Sequence, residues 1–389
     1  MHICFVSRGI AGGAGASMID LVDVLLAEGA RVSMICAIDD WVAREMRQRN
    51  VPVRILHFES WTHKHAPPPA WQCWTKRVGA HLLRGSAVGR ELKQLRPDVV
   101  VTNTLTICEG AIGARLASIP HVTHVREFGD RDHGLQFEYG AQRSMSILNS
   151  LSSKIVFISH ALAKAYNEQV PDARAAVVYN TPRVPQESIA AADVWQRPAD
   201  QPFTCAIVGG ISEGKRQHEA IAAVKHLRDE GIEVTLNVVG KGGQANVQRL
   251  ADQVRRDGLG DRVTLVGHSD RPYEYMIESD VVLVCSRCEA FGRVTVEAMK
   301  VRRPVIGSNA GGTPELIDDQ RTGLLYEAGN VPDLAEKIRW MLEHPQKRVA
   351  MGERAANIAR AKFTLQRYGH DVLTVLNEVV PEEKRMMAP

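Results

Sequence analysis

The feature that most constrains the fold is a repeated order of apolar strand, glycine turn and helix in both halves of the chain. In the first half, residues 2–7 are strand-like, and a glycine-rich segment over residues 8–16 precedes an amphipathic helix. In the second half, residues 203–209 lead in the same way into a glycine turn and a helix. Strands that alternate with helices form parallel sheets covered on both faces. The pattern therefore predicts an α/β fold with doubly wound parallel sheets.

The chain is long enough for two such sheets, because its 389 residues exceed the usual size of one domain. Residues 183–202 are rich in Pro, Gln, Ala and Asp and follow neither the helix nor the strand period, which is typical of a linker. The sequence predicts an N-terminal domain over residues 1–182, a linker over residues 183–202 and a C-terminal domain over residues 203–363.

Composition excludes several classes of protein. Hydrophobic residues make up 44% and charged residues 24% of the sequence, as in a soluble globular protein. A net charge of +3 is too small to predict a nucleic-acid partner. No apolar run approaches the roughly 18 residues of a membrane-spanning helix, and the N-terminus lacks the features of a signal peptide. We therefore expect a cytoplasmic protein.

The seven cysteines are scattered along the chain, which indicates free thiols in a reducing compartment. Cys285 and Cys288 form a CxxC pair. A structural zinc site needs a second pair or a histidine cluster, and none accompanies this one in the sequence. We expect no metal.

A candidate site lies in residues 286–317, where Glu289 and Glu297 stand eight residues apart. Glu289 falls where an apolar strand gives way to a loop, and ligands of open α/β sheets bind at the carboxyl ends of strands. Glu297 lies two helical turns later, while backbone N–H groups near residues 293–295 point at an anion. A carboxylate beside a phosphate seat predicts a nucleotide whose ribose needs an acceptor. The alternative is a capped surface helix with ordinary surface glutamates.

The segment EAFGRVTVEAM over residues 289–299, followed by PVIG, GGTPELI and TGLLY, closely resembles the donor-binding signature of retaining GT-B glycosyltransferases, family 4 in particular. The resemblance is specific over residues 286–326 and diffuse before residue 180. It implies two Rossmann-like domains facing across a cleft, with a terminal helix over residues 364–380 that packs back on the first.

The same resemblance implies transfer of a sugar, with retention, from a UDP- or GDP-linked donor to a hydroxyl of a glycan or lipid-linked acceptor. No cofactor and no metal are implied. A role in the synthesis of cell-surface polysaccharide or glycoconjugate is expected.

In the family, the first glutamate of the pair lies by the donor sugar and the second holds the ribose. The resemblance therefore assigns Glu289 to the sugar and Glu297 to the ribose. The backbone that would meet the sugar hydroxyls and the diphosphate belongs to Phe291, Gly292, Val294 and Thr295. The base would lie against the backbone of Val266, Gly267 and His268, which does not distinguish uracil from guanine.

Family members usually carry an arginine and, five positions on, a lysine that both contact the diphosphate. Lys215 fits the lysine, and Gly210 occupies the place of the arginine. Arg216, Arg293 or Arg126 could supply the missing cation. A lysine at a helix start is otherwise unfavourable because the helix dipole repels it, so a bound anion explains Lys215 better than an isolated charge does.

The first glycine loop of the family faces the donor diphosphate, and Gly12 and Gly13 fit this position because glycine lets the backbone approach a ligand. The same letters also suit a Rossmann dinucleotide site, in which Asp39 or Asp40 would bind the ribose. This leaves an NAD-dependent oxidoreductase as an alternative function.

The family often has a histidine, followed by an acid, where this chain has Arg126 and Glu127. Arginine stays protonated and cannot act as a base, although it could hold a phosphate or an acidic acceptor by two parallel hydrogen bonds. His124 shares a strand face with Arg126 and is an alternative for the family histidine. A further alternative is a salt-bridged loop. The departures at Gly210 and Arg126 also leave open a non-catalytic GT-B-shaped module that binds nucleotide sugars or glycans.

Residues 59–97 interleave tryptophans with basic residues. This composition suits an anionic membrane surface or a lipid-linked acceptor and gives the hypothesis of peripheral contact with the inner face of the cell membrane. The alternative is a solvated helix whose tryptophans fill the domain core. The residues concerned are Trp61, Lys64, Trp71, Trp74, Lys76, Arg77, Arg84, Arg90, Lys93 and Arg96.

Overall fold

The computed structural model describes residues 1–9, 12–63, 70–194 and 201–386. The chain forms two compact units, Met1–Pro182 with Thr364–Pro389 and Arg183–Phe363, which we call the first and the second unit. Each has its own sheet and its own hydrophobic core. Within the described ranges, the helices are all too short or too polar to cross a lipid bilayer.

The first unit is built on a seven-stranded parallel sheet. The described strands of the whole unit are β1 His2–Ser7, β2 Arg31–Cys36, β3 Val53–Ile55, β4 Thr62–His63, β5 Val99–Thr102, β6 His121–Val125, β7 Gln136–Phe137, β8 Lys154–Phe157 and β9 Ala175–Val177. The order in the large sheet is β3-β2-β1-β5-β6-β8-β9, and β4 pairs with β7 in a small antiparallel sheet. β1 is buried along its whole length, as expected for a central strand covered on both faces.

Seven helices of the first unit connect these strands in the described residues. They are α1 Gly13–Ala27, α2 Trp41–Gln48, α3 Ala70–Leu95, α4 Glu109–Ala117, α5 Asp130–His133, α6 Ala141–Leu151 and α7 His160–Ala165. A short 3₁₀ turn covers Asp172–Arg174.

The second unit has a six-stranded parallel sheet. Its strands are β10 Phe203–Val208, β11 Val234–Val239, β12 Val263–Gly267, β13 Val281–Val284, β14 Val305–Ser308 and β15 Gly323–Tyr326. The order β12-β11-β10-β13-β14-β15 reverses direction between β10 and β13. Together, the two parallel sheets confirm the predicted doubly wound α/β architecture.

Helices cover both faces of the second sheet. They are α8 Gln186–Val194, α9 Gln217–Asp229, α10 Gln244–Arg256, α11 Pro272–Ile277, α12 Arg293–Lys300, α13 Thr313–Leu316, α14 Val331–Glu343 and α15 Pro345–Lys362. A 3₁₀ turn over Glu213–Lys215 follows β10.

The irregular linker predicted over residues 183–202 is wrong for its first part, because α8 occupies residues 186–194. Ala192 is buried and Ile189 partly buried, in a cluster with Met276 and Ile277 of α11. These tertiary contacts stabilise a helix whose own amphipathic pattern is weak. Residues 195–200 of the predicted linker lie outside the described residues.

The last helix, α16 Leu365–Val379, belongs to the first unit. Its first turn is capped by the Thr364 hydroxyl, which accepts a hydrogen bond from Arg367 N at 3.1 Å. Tyr368 and Leu373 are buried in the same core as α1. Gly369 lies against α1, where a Cβ atom would come within 2.3 Å of Val24 Cγ1. A short 3₁₀ turn, Glu382–Lys384, follows the helix.

Candidate functional site

The reversal of strand order in the second unit places two predicted site residues on neighbouring strands. Ligands of such sheets bind where the order reverses, at the carboxyl ends of the strands. Lys215 follows β10 and Glu289 follows β13, the two strands that flank the reversal. A backbone hydrogen bond of 2.8 Å from Arg287 N to Gly214 O connects the two loops. The topology therefore brings Lys215 and Glu289 to one point.

Lys215 and Glu289 are in direct contact. The Lys215 ammonium donates a hydrogen bond to Glu289 Oε2 at 2.7 Å, and the two side chains are 35% and 15% exposed. An ammonium group has three N–H donors, and this contact uses one of them. The Lys215 ammonium is therefore oriented by a carboxylate and keeps N–H donors for an anion.

Two glycines hold the backbone of Glu289 in place. Gly312 N donates to Glu289 O at 2.6 Å, and Gly311 forms an isolated parallel bridge with Glu289. A Cβ atom on Gly311 would lie 2.3 Å from Glu289 O, so the backbones could not approach this closely with any other residue. The glycines of the GGTPELI motif therefore position the first glutamate of the EAFGRVTVEAM motif.

Helix α12 begins at the same edge of the sheet. Gly292 precedes it with a φ of 103°, a conformation that favours glycine, and the helix has neither a capping side chain nor an acidic residue in its first turn. An uncapped helix N-terminus carries N–H donors and a partial positive charge. Glu297 lies one turn beyond Arg293, with 3.8 Å between Arg293 Nε and Glu297 Oε1. The charges of Arg293 and Glu297 therefore lie close together on this helix.

The other predicted positions in and just before α12 offer backbone rather than side chains. Phe291 is buried and packs edge-on against Phe363, with 6.1 Å between ring centroids. Thr295 is fully buried, and its hydroxyl has no hydrogen-bond partner among the described residues. Val294 is partly buried in the core beside α8 and α11. A ligand at this helix would meet its N–H groups.

Arg216, next to Lys215 in the sequence, contacts a different carboxylate. Its Nη1 donates to Glu219 Oε1 at 2.8 Å, and it lines a pocket of about 750 Å³ between the 213–215 turn and the helices α9 and α10. Gly210 O accepts a hydrogen bond from Gln217 Nε2 at 2.9 Å. Arg216, one of the cations considered for the place of the missing arginine, is thus already paired with Glu219.

The predicted base-binding residues lie at the end of β12. Gly267 O accepts a hydrogen bond from Gly240 N at 2.7 Å, which ties the ends of β11 and β12 together. His268 is exposed, with Nε2 3.3 Å from Asp270 Oδ1, and Val266 is partly buried. In the described structure these residues occupy the same sheet edge as Lys215, two strands from β10.

In the first unit the strand order reverses between β1 and β5, and the predicted glycine loop lies there. Gly12 caps α1, and Gly13 is its first residue, with neither a capping side chain nor an acid in the first turn. Asn103, which follows β5, donates from Nδ2 to Ala14 O at 3.2 Å. Residues 10 and 11 of the loop lie outside the described residues.

The two acids of the oxidoreductase alternative have local roles. Asp40 caps α2 by accepting hydrogen bonds from Val42 N at 3.0 Å and Ala43 N at 3.3 Å. Asp39 pairs with Arg47 at 2.7 Å on the surface. Both carboxylates therefore already have partners in the protein, which weakens the part of this alternative that rests on an acid for the ribose.

Arg126 is buried in a network of neutral groups. Its Nε donates to Asn103 Oδ1 at 2.6 Å, its Nη1 to Asn180 Oδ1 at 2.7 Å and its Nη2 to Tyr368 OH at 2.8 Å. Its carboxylate neighbour in sequence, Glu127, accepts instead from Leu105 N at 2.9 Å. The salt-bridged loop considered for Arg126 and Glu127 is therefore wrong. The guanidinium holds the last helix to the ends of β5 and β6.

Arg126 also fixes the protonation of His124. Its Nη2 lies 3.2 Å from His124 Nδ1, and because arginine only donates, Nδ1 must accept. Burial first, and then the charge of Arg126, hold the pKa of His124 well below its usual range. The imidazole is therefore neutral with its proton on Nε2, an atom without a hydrogen-bond partner in the described part of the chain. His124 can donate a hydrogen bond but is not poised as a base at Nδ1.

Replacing Arg126 with methionine is expected to lower the stability of the first unit by about 2–4 kcal/mol, because buried acceptors of Asn103 and Asn180 lose their donor. Thermal unfolding of the variant should show a melting temperature several degrees below that of the wild type. Arg44→Met removes an exposed arginine of the same unit and serves as the control. Equal melting temperatures for Arg126→Met and the control would contradict this role.

A buried charged cluster lies in the first unit that the sequence pattern did not indicate. His81 Nδ1 lies 2.8 Å from Glu109 Oε1, and its Nε2 lies 3.2 Å from Glu138 Oε2. Burial lowers the pKa of His81, but hydrogen bonds to Cys108, Glu109 and Glu138 outweigh it and raise that pKa to about 12. His81 is therefore an imidazolium between two carboxylates.

One ligand atom from each of His81, Cys108 and Glu109 lies within 4.8 Å of the other two, which is the spacing of a small metal site. Both nitrogens of the imidazole already contact carboxylates. A metal would have to displace the proton at Nδ1, so a proton accounts for this arrangement.

The tryptophan-based membrane hypothesis is wrong for Trp61. This side chain is 1% exposed, and its Nε1 donates to Leu105 O at 2.8 Å. Arg77 and Arg84 are paired with Glu138 at 3.3 Å and Glu59 at 2.9 Å. Four further residues of the hypothesis have side chains outside the described set, namely Lys64, Trp71, Trp74 and Lys76.

Comparisons with known proteins agree with this architecture. A family model described as Glycosyltransferase Family 4 matches residues 11–181, and one described as Glycosyl transferases group 1 matches residues 188–358. A glycogen synthase of Mycobacterium tuberculosis is 27% identical over 353 residues, which cover 86% of this chain and 81% of that protein. The alpha-D-kanosaminyltransferase of Streptomyces kanamyceticus is 29% identical over 175 residues, or 44% of this chain and 45% of that protein.

Solved structures share the fold. The structure of Anabaena HepE in complex with UDP has a TM-score of 0.79 and 23% identity, and the likeness covers 97% of this chain and 100% of that one. HepE has also been solved with UDP-glucose. The boundary between the two family models falls where the chain passes from its first to its second unit. The chain therefore belongs to the glycosyltransferases of the GT-B fold, of the family 4 type.

Proposed function

We propose that this glycosyltransferase transfers a sugar, with retention of anomeric configuration, from a nucleotide diphosphate sugar to a hydroxyl of a glycan or lipid-linked acceptor. The observation that carries the proposal is the contact between Lys215 and Glu289 at the strand reversal of the second unit, 2.7 Å apart. Beside it, α12 offers an N-terminus without a capping side chain. A cation next to uncapped N–H groups suits a diphosphate.

Each of the charged residues predicted at the donor site then has a role. Lys215 neutralises charge that develops on the departing diphosphate, and the N–H groups at the start of α12 share it. Glu289 orients Lys215 and accepts hydrogen bonds from the donor sugar, and Glu297 accepts them from the ribose hydroxyls. Arg293, 3.8 Å from Glu297, is the cation we propose for the position that Gly210 leaves vacant.

The proposed reaction proceeds on one face of the sugar. The bond between the anomeric carbon and the diphosphate oxygen breaks, and a bond from the acceptor oxygen forms on the same face. The acceptor proton passes to the departing phosphate oxygen, and nucleoside diphosphate leaves. Glu289 is held by the Lys215 ammonium and so serves better as an orienting group than as a nucleophile.

UDP is the nucleotide that the relatives favour. Anabaena HepE, which shares the fold, has been solved with UDP and with UDP-glucose. The residues proposed to hold the base, Val266, Gly267 and His268, offer backbone at the end of β12, and such contacts accept uracil and guanine alike. The choice between a UDP-linked and a GDP-linked donor is therefore made by experiment.

A nucleoside diphosphate is expected to raise the melting temperature of the second unit. At 100 times its dissociation constant, a ligand adds about 2.7 kcal/mol to the free energy of unfolding, which corresponds to a rise of roughly 5–10 °C for a unit of this size. The Glu297→Ala variant should lose this rise because the ribose loses its acceptor. Glu233→Ala removes an exposed glutamate of the same unit and should keep it. No rise with UDP, GDP or any other nucleoside diphosphate would contradict the proposal.

The non-catalytic module is the second candidate, because Gly210 leaves one of the two family cations unaccounted for. Both candidates bind the nucleotide, so turnover separates them. Release of nucleoside diphosphate over a panel of nucleotide sugars, with and without glycan acceptors, is expected for a transferase. Binding without release from any donor would favour the module. The anomeric configuration of an isolated product tests retention.

A further inference from the structure

The outward face of α3 in the first unit carries two leucines and two cations. Leu82, Leu83, Arg90 and Lys93 are exposed, and at about 100° per residue they fall within roughly 120° around the helix axis. Leu83 is 74% and Leu82 52% exposed. Single exposed leucines are ordinary, whereas adjacent ones that share a helix face with cations indicate an interaction surface.

Helix α4 continues this face. The two helices approach closely, because a Cβ atom on Gly89 would lie 3.1 Å from Gly113 O and 3.4 Å from Leu116 Cβ. Leu116 is 51% exposed, and its neighbour Arg115 is exposed as well. We call these six residues the basic leucine face: Leu82, Leu83, Arg90, Lys93, Arg115 and Leu116.

The cations of the basic leucine face are not neutralised by the rest of the described chain. Arg90, Lys93 and Arg115 form no ion pair with any residue that the structure describes. The nearest acids in sequence are engaged elsewhere, since Glu91 lies 3.8 Å from Arg54 and Glu59 2.9 Å from Arg84. The face therefore combines exposed apolar surface with three uncompensated positive charges.

We propose that the basic leucine face docks the first unit on an anionic lipid bilayer, with the leucines at the boundary between headgroups and acyl chains and the cations at the lipid phosphates. Leucine beside lysine and arginine is the composition of helices that lie in a membrane interface, whereas this face has none of the aromatic residues or methionines that are enriched at the centres of protein interfaces. The surface contains neither Trp61 nor the paired Arg77 and Arg84. Docking would bring a lipid-linked acceptor to the enzyme, and this consequence rests on the proposed function, while docking itself does not.

Flotation of the full chain with vesicles tests the proposal. Binding is expected to vesicles of phosphatidylcholine with phosphatidylglycerol and to weaken strongly with phosphatidylcholine alone or at high salt. Arg90→Gln with Lys93→Gln should weaken binding roughly 30-fold, on the basis of about fivefold for each cation. Leu82→Ser with Leu83→Ser should weaken it at least about tenfold.

Matched controls lie in the second unit. Val349→Ser removes an exposed valine, and Arg255→Gln with Arg271→Gln removes two exposed cations, so both should bind vesicles as the wild type does. The test variants lie outside the donor site, so their release of nucleoside diphosphate should be unchanged. If the wild type itself released no nucleoside diphosphate, this would contradict the proposed function and not the docking.

Several results would overturn the proposal. They are no binding to anionic vesicles, equal binding to both vesicle types, or equal losses in the test and control variants. Self-association that the leucine variants abolish, without vesicle binding, would identify the face as a contact between copies of the chain and would also overturn it.

Discussion

Replacing Lys215 with alanine is expected to lower the turnover of the donor roughly 10²–10³-fold while leaving the fold intact. Removing one preoriented group that stabilises developing negative charge costs on the order of this factor in other enzymes. The side chain is about one-third exposed and pairs with a carboxylate at the surface of the second unit. Such a pair contributes little to stability, so a loss of activity would not reflect unfolding.

The control for this prediction is Lys225→Ala on α9 of the same unit. Lys225 pairs with Asp229 at 2.7 Å and is on α9, away from the strand reversal. Because both residues are lysines, each substitution removes one positive charge. Initial rates at saturating donor, together with melting temperatures of both variants, make the comparison. Turnover of Lys215→Ala within about threefold of the control would exclude Lys215 from the reaction.

The Glu289→Gln variant tests whether Glu289 acts in turnover or in binding of the nucleotide. The amide keeps the shape of the side chain but loses the negative charge that orients Lys215. If Glu289 acts by orienting the lysine and the sugar, turnover should fall while nucleoside diphosphate still raises the melting temperature. Loss of that rise would instead place Glu289 in binding of the nucleotide.

The site of the second unit could be predicted well, because its residues directly follow strands of a parallel sheet. Apolar strands that end in glycine turns predict a parallel sheet, and such a sheet places Lys215 and Glu289 at its carboxyl edge. Their contact also needs the strand order β10-β13, which joins segments about 70 residues apart. No spacing rule shows that order, and the resemblance placed both residues at the donor site without giving it.

The first unit was less predictable because its polar residues act through tertiary contacts. Trp61 and its basic neighbours gave an interfacial composition, yet the fold buries the tryptophan beside His81. Arg126 contacts Tyr368, which is 242 positions away in the sequence. The only local signals were polar residues, such as Asn103, directly after apolar strands. Likewise, α8 has a weak pattern of its own and forms because the core beside α11 accepts Ala192.

The buried cluster around His81 leads to the second large effect, which concerns stability. His81→Leu is expected to lower the free energy of unfolding of the first unit by about 3–5 kcal/mol, because it leaves the carboxylate of Glu109 buried without its cation, whereas Glu138 keeps Arg77 at 3.3 Å. Glu109 is fully buried, and the Glu138 side chain is 7% exposed. Water therefore cannot replace the lost partner.

The stabilisation by His81 should decrease as the pH rises. The pKa of His81 is raised to about 12 in the folded protein, and it is near 6.5 in an unfolded chain. A raised pKa contributes stability that is fully present below about pH 6.5 and is lost as the pH rises toward the folded value. Between pH 7 and pH 9 the wild type should therefore lose about 2–3 kcal/mol relative to His81→Leu.

His121→Leu is the control, because burial lowers the pKa of His121 to about 3 and leaves it neutral on both sides of this window. Its free energy of unfolding should fall because Thr102 and Ser152 lose their partner, without changing the slope between pH 7 and pH 9. Urea-dependent hydrogen exchange of peptides from α3, α4 and β6 reports on the first unit separately, which matters because a chain with two units need not unfold in one step. A difference between wild type and His81→Leu that stays constant from pH 7 to pH 9 would show that His81 is not the shared cation of the two glutamates.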